Sequence, residues 1–205
     1  MFYDKNMCGR FSFQPTPEIL QALAKDQHDL FQTGDVIVPE MDILMYRQNG
    51  LDIARWNFKP EWADESWKAT THNARSETVA EKAVFRDAWG KNQRCVIPAD
   101  YFFEWQHGTK LGFTVHPANE ERNYLYFAGL WEQNKYGLRC TILTKASGDN
   151  VRQYHRRMPI MLPRTQLKNW LSSGPIDALN IIAAANDKGL RVDPYKSEKK
   201  QAALF

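Results

Sequence analysis

The sequence predicts an α+β fold: one domain with a mainly antiparallel sheet or open barrel and helices at its edge. Three observations carry this. The 205 residues suit a single sizeable core, and no Pro/Gly/Ser linker or repeat divides them. The middle of the chain is dense in β-branched and aromatic runs separated by turn residues. Helical periodicity is confined to a few short stretches outside that β-rich middle.

Taken in order, "PTPEILQALAKDQ" (15–27) reads as a helix, with Thr16 as N-cap, Pro17 in the first turn, and Ile19, Leu20 and Leu23 on one face. "MDILMYRQNGLDIARWNF" (41–58) reads as a hairpin turning at Asn49-Gly50. "SETVAEKAVFRDAWGKN" (76–92) reads as a second helix, capped by Ser76, turning Val79, Ala83 and Val84 inward and closing near Gly90. Four strand-like runs follow: "RCVIPADYFFEWQ", "LGFTVHP", "YLYFAGLWE" and "LRCTILTKA". "PRTQLKNWLSS" and "IDALNIIAAA" read as short helices before a polar tail.

Composition is that of an ordinary globular protein, 43% hydrophobic and 25% charged. The net charge of +3 neither requires nor excludes a nucleic-acid partner. Three cysteines, Cys8, Cys95 and Cys140, show no metal-type spacing. A disulfide framework is not expected, and a reducing cytoplasmic setting is. No apolar window is long enough to cross a bilayer, and neither a metal nor a cofactor is implied.

Four places could carry chemistry. Met7-Cys8 would leave Cys8 with a free α-amine beside its thiol if the chain began at Met7 or were cut there. Such a 1,2-aminothiol condenses with an aldehyde to an imine, which the thiol then closes to a thiazolidine. An α-amine with a pKa of about 7.7–8.0 is partly neutral near pH 7.5, whereas a lysine at about 10.4 is not. The alternative is a small buried cysteine near the chain start.

In "HNARSET", Asn73 and Arg75 alternate on an extended segment and so share a face, offering an amide and a planar fork suited to phosphate. A turn asparagine and a solvated arginine would look the same. Glu104, inside "DYFFEWQ", is either a buried carboxylate suited to moving protons or a strand residue pointed at solvent. "YHRRMP" sets His155 among arginines, as a proton carrier or in a surface loop.

Together these pieces resemble the SOS-response-associated peptidase (SRAP) family of abasic-site-processing proteins. The matching residues are Cys8-Gly9-Arg10-Phe11, Trp56 with "KPEW", Asn73-Ala74-Arg75-Ser76-Glu77-Thr78, Phe103-Glu104-Trp105, Ala128-Gly129-Leu130-Trp131-Glu132 and His155-x-Arg157-Met158-Pro159. They run in family order from residue 7 to about 163.

The resemblance implies a monomer that binds single-stranded DNA and traps abasic sites through an N-terminal cysteine. Carried over by position, Cys8 would be the nucleophile, Asn73 would hold the reacting atoms, Glu104 would move protons, and His155 would help open the sugar. Arg10, Arg75 and Arg157 would contact phosphates, and Trp67 or Trp62 would stack on a base. It further implies a cytoplasmic location, nucleoid-associated in a bacterium.

Residues 1–7 are then expected to be a leader, upstream of the true start or removed by self-cleavage. Residues 8–205 form the domain, the last ~15 a weakly matching tail. Two departures stand out: "DVIVPEM" where the family has "N-x-A-P", and Asn57 where a glycine is usual. Two other functions fit the same residues. One is a cysteine peptidase or amidase using Cys8, His155 and Asn73. The other is a single-strand binder without chemistry.

Overall fold

The computed structural model describes residues 9–23, 27, 29–106, 109, 111–118 and 124–195. Cys8, the proposed leader and the last ten residues of the tail lie outside the described residues.

Strand β1 (Phe11–Phe13) opens the fold and is followed by α1 (Pro17–Gln21). The expected cap is present, since the Thr16 hydroxyl accepts from Ile19 N at 3.4 Å. Beyond it, β2 (Gly34–Ile37) pairs antiparallel with β1, a four-residue strand too short to be read from pattern. The hairpin forms as β3 (Asp42–Arg47) and β4 (Gly50–Trp56), but its two-residue loop is Gln48-Asn49. Gly50 already belongs to β4 at φ 128°, a backbone angle that glycine accepts freely.

The helix expected over 76–92 is a correction. After β5 (Asn73–Arg75) the chain makes successive turns, and only Arg86–Gly90 is helical, α2. Ser76 does not cap a helix; its N–H donates to Thr144 O at 2.9 Å. Val79 does point inward, fully buried, while Ala83 is exposed. Tertiary contacts at both ends of this stretch, the Ser76–Thr144 bond and the buried Phe85, Ala88 and Trp89, override its helix propensity.

The run "RCVIPADYFFEWQ" is two strands, β6 (Arg94–Ala99) and β7 (Tyr101–Trp105), broken at Asp100. They join different sheets, and Asp100 anchors the break by accepting from Gln14 N at 2.6 Å. The remaining strands are β8 (Gly112–Pro117), β9 (Leu125–Asn134), β10 (Gly137–Ala146), β11 (Arg157–Pro159) and β12 (Leu190–Tyr195). The helices between them are α3 (Asp149–Arg152), α4 (Leu167–Ser172) and α5 (Pro175–Ala184).

One sheet runs β12-β8-β7-β1-β2. The other closes on itself, because β10 pairs β9 on one side and β4 on the other while β4-β3-β6-β9 are already neighbours. The result is a small closed barrel with a short parallel junction at Arg139↔Arg55 and Cys140↔Trp56. Closure removes sheet edges. Gly129 permits it: a Cβ there would lie 2.5 Å from Ile97 and 2.7 Å from the Thr141 carbonyl.

Aromatic side chains fasten the open sheet to the barrel. Phe11 packs on Trp56 at 5.0 Å and on Phe127 at 6.0 Å, and Phe102 meets Phe127 at 6.0 Å. Each such pair contributes about 0.5–1.5 kcal/mol beyond the burial of its area. On the opposite flank, α2 and α4 dock through Trp89 and Trp170, with Arg94 between the two rings.

Candidate functional site at the sheet junction

Strand β10 organises the site. Its end at Thr144 is flanked by Arg75 of β5 on one side and by Pro159 of β11 on the other. Two segments distant in sequence are thereby laid beside each other. Within β5, Ala74 is buried while Asn73 is half-buried and Arg75 is exposed. Asn73 and Arg75 therefore share the face turned away from the core, as strand alternation requires.

Glu104 belongs to the other sheet. Phe102 and Glu104 point into the protein, and Glu104 is only 2% exposed, so the solvent-facing alternative is excluded. Burying a carboxylate is costly unless charged or donor groups surround it. His155 is one such neighbour, with Nδ1 3.6 Å from Glu104 Oε1.

The same nitrogen lies 2.8 Å from the carbonyl of Arg157 and 3.3 Å from the Arg157 amide. The shorter contact decides the tautomer: a carbonyl only accepts, so Nδ1 carries the proton and Nε2 is the basic nitrogen of the neutral ring. His155 itself hangs from α3, its N–H donating to Val151 O at 3.0 Å. Tyr154 packs on Phe113, 4.3 Å between ring centres, and Phe113 is the residue opposite Glu104 on β8.

Arg157 was expected on phosphate, yet its fork is occupied. Nη1 and Nη2 donate to the two carboxylate oxygens of Glu77 at 2.8 Å each, and Nη2 also reaches Thr144 O at 2.8 Å. These bonds hold the Glu77 carboxyl below its usual range, chiefly through the arginine. Arg157 thus ties the turn after β5 to β11. Arg10 also sits apart from Glu104. Its guanidinium lies over Phe103 at 5.7 Å and Trp105 at 5.1 Å, the rings on the opposite face of β7.

The backbone of β1 still leads to the site. Phe103 N donates to Arg10 O at 2.9 Å, which extends the pairing of β1 with β7 to the residue before Glu104. The other two cysteines are remote in character: both are fully buried, and burial pushes both thiols up. Neither is an activated nucleophile.

Trp67 and Trp62 stand edge-to-face at 5.1 Å, with Trp62 57% exposed. Trp67, Pro39, Glu40, Asn57 and His72 line a cleft of about 410 Å³ directly before Asn73. His72 is buried, its ring against Trp56. Sequence reading missed the parts played by Glu77, Thr144, Tyr154 and Glu40. Glu77 alone carried a signal, two residues past Arg75 in an alternating segment, but its partner lies 80 residues on.

The sequence matches the SOS response associated peptidase (SRAP) family model over residues 7–198. It is 33% identical to YoaM of Bacillus subtilis, named an abasic site processing protein, across 81% of this chain and 79% of that one. Similarity at 30% extends to the Xenopus tropicalis protein HMCES of the same designation, across 62% of this chain and 48% of that one. Among solved structures, a Bordetella bronchiseptica protein shares the fold with a TM-score of 0.76 at 24% identity, covering 92% of this chain and all of the other. A Bacteroides thetaiotaomicron protein does so with a TM-score of 0.77 at 16% identity, covering 93% of each chain.

Proposed function

Because the chain belongs to the SRAP family, we propose that it processes abasic sites in single-stranded DNA by covalent capture at Cys8. The relatives' designation as abasic site processing proteins supports the substrate class. The observation that carries the chemistry is the buried Glu104, 3.6 Å from His155 and beside the strand that leads back to Cys8.

An abasic deoxyribose is largely a closed hemiacetal. His155, protonated at Nε2 as well, gives that proton to the ring oxygen as the C1′–O4′ bond opens, while Glu104 takes the proton of the C1′ hydroxyl, exposing the aldehyde. The Cys8 α-amine adds to C1′, and Glu104 supplies the proton that lets the carbinolamine hydroxyl leave as water. The Cys8 thiol then adds to the imine carbon, its proton passing to nitrogen, and a thiazolidine remains. One water is lost and nothing is oxidised. Both nucleophiles belong to one residue, so ring closure gains from proximity.

In this reading Asn73 orients the reacting groups, Arg75 contacts a flanking phosphate, and Trp62 or Trp67 stacks on a base. Arg157, engaged by Glu77, braces the His155 segment in place of gripping DNA. Capture requires residues 1–7 to be absent from the active protein, through initiation at Met7 or cleavage of Met7–Cys8. The test is a denaturing gel with an abasic oligonucleotide. Protein beginning at Cys8 is expected to give a heat-stable shifted band, lost in Cys8→Ala and on acetylation of the α-amine. A band that survives acetylation would instead favour a thiol-only reaction.

A further inference from the structure

Glu40 stands at the third position of the Val38–Met41 turn, in which Met41 N donates to Val38 O at 3.3 Å and Pro39 comes second, and it lines the cleft beside the site. It is not glycine, yet its φ is 69°, in the left-handed region that costs a side-chain-bearing residue about 1–3 kcal/mol. The surroundings hold it there. Its N–H donates to Trp56 O at 2.8 Å, and the Arg55 guanidinium takes its carbonyl.

The carboxylate is aimed as well. Asn57 Nδ2 donates to Oε1 at 2.5 Å, and Arg139 Nη1 lies 3.6 Å from Oε2. Asn57 in turn accepts from Thr71 N at 2.9 Å and Thr71 Oγ1 at 2.8 Å, so one side chain links Glu40 to the segment just before Asn73. These contacts use part of a carboxylate's four acceptor positions, and the Glu40 side chain is still 57% exposed. Glu40 shares its cleft with Pro39, Asn57, Trp67, His72 and one cation, Lys68, among others.

An acid on a DNA-handling surface repels phosphate, so its partner must be a donor. Nucleobases differ as donors: cytosine, adenine and guanine carry an exocyclic amine, whereas thymine offers only its ring N3–H, set between two carbonyl oxygens that repel a carboxylate. We infer that the Pro39–Trp67 cleft receives a nucleobase next to the lesion and that Glu40, aimed by Asn57, selects amine-bearing bases over thymine. The inference rests on the proposal that the protein acts on single-stranded DNA, but not on how the aldehyde is captured.

The test uses single strands carrying a tetrahydrofuran abasic analogue, which has no aldehyde and cannot be captured. Cytosine or thymine is placed at the 5′ or the 3′ neighbour, and dissociation constants are read by fluorescence anisotropy. A hydrogen bond to a partly exposed carboxylate predicts about fivefold tighter binding with cytosine at one of the two positions. Glu40→Gln, which adds a donor able to serve thymine, is expected to erase that ratio. Asn57→Gly, which keeps the carboxylate but removes its tether, is expected to lower it.

Equal affinities at both positions, a ratio unchanged in Glu40→Gln, or no binding to any strand would each overturn the inference. A cytosine preference without any covalent band on a true abasic strand would sustain it while sinking the capture mechanism.

Discussion

Arg157 and Arg94 are both largely withdrawn from solvent, and the two regions treat the charge in opposite ways. At the sheet junction, Arg157 meets a carboxylate fork to fork and a backbone carbonyl besides. On the α2/α4 flank, Arg94 is 1% exposed and lies 4.3 Å and 5.2 Å from the ring centres of Trp89 and Trp170. Its one side-chain hydrogen bond there is to Ser173 Oγ at 3.0 Å, and Nη1 and Nη2 have no hydrogen-bond partner among the described residues.

Burial lowers the Arg94 pKa to about 10. Directional bonds fix the first arginine's neighbours to a fraction of an ångström, whereas ring faces hold the second by area. The contrast separates a region that positions chemistry from one that supplies cohesion. Variants at the junction should therefore change rates, and variants on the flank should change stability.

The largest expected effect is at the junction. His155→Ala should slow cross-linking about 100-fold, since general acid–base groups contribute about 10²–10⁴, while leaving noncovalent DNA affinity nearly unchanged. Single-turnover kinetics beside anisotropy check this, and equal losses in both would contradict the assignment. Next comes Arg94→Ala, which empties the space between two tryptophans and should cost about 2 kcal/mol in denaturant unfolding with little change in cross-linking rate.

Arg157→Lys should be smaller, about 1 kcal/mol, because an ammonium cannot make the paired bonds to Glu77. It should also slow capture, since a loosened fork holds β11 less firmly, and with it the Arg157 carbonyl that meets His155. The pH dependence follows from Glu77. Its folded pKa lies below the unfolded value of about 4.3, so its contribution is fully present above that value and is lost as pH falls through the folded pKa. Wild type and Glu77→Gln should therefore converge in stability in acid, from a gap below about 1 kcal/mol at neutrality for a pair whose carboxylate is half exposed. The smallest change is Arg94→Met, expected within about 1 kcal/mol of wild type or more stable, because it fills the slot without burying a charge.

What the sequence revealed follows the same division. Local rules read β3 and β4, the Thr16 cap and the shared face of Asn73 and Arg75, because each depends on residues a few positions apart. The helix over 76–92 does not form where Ser76 bonds to Thr144 at the end of β10; turns follow, and only Arg86–Gly90 is helical. Glu104 was ambiguous from its neighbours because aromatics flank it on both sides. Only the pairing of β7 with β1 and β8 decides that Phe102 and Glu104 face inward. The closed barrel, the Glu77–Arg157 fork and the bracing of Glu40 by Asn57 and Arg139 all join distant segments, which no local pattern encodes.

The central claim is that the α-amine and thiol of Cys8 together hold the damaged sugar. Intact-mass and fragment spectrometry of the product formed with an abasic oligonucleotide tests it directly. The expected product is a polypeptide beginning at Cys8 joined to the strand at its first residue, with the summed mass less one water. A fully reactive protein that still carries residues 1–7, or an adduct located at another residue, would contradict it.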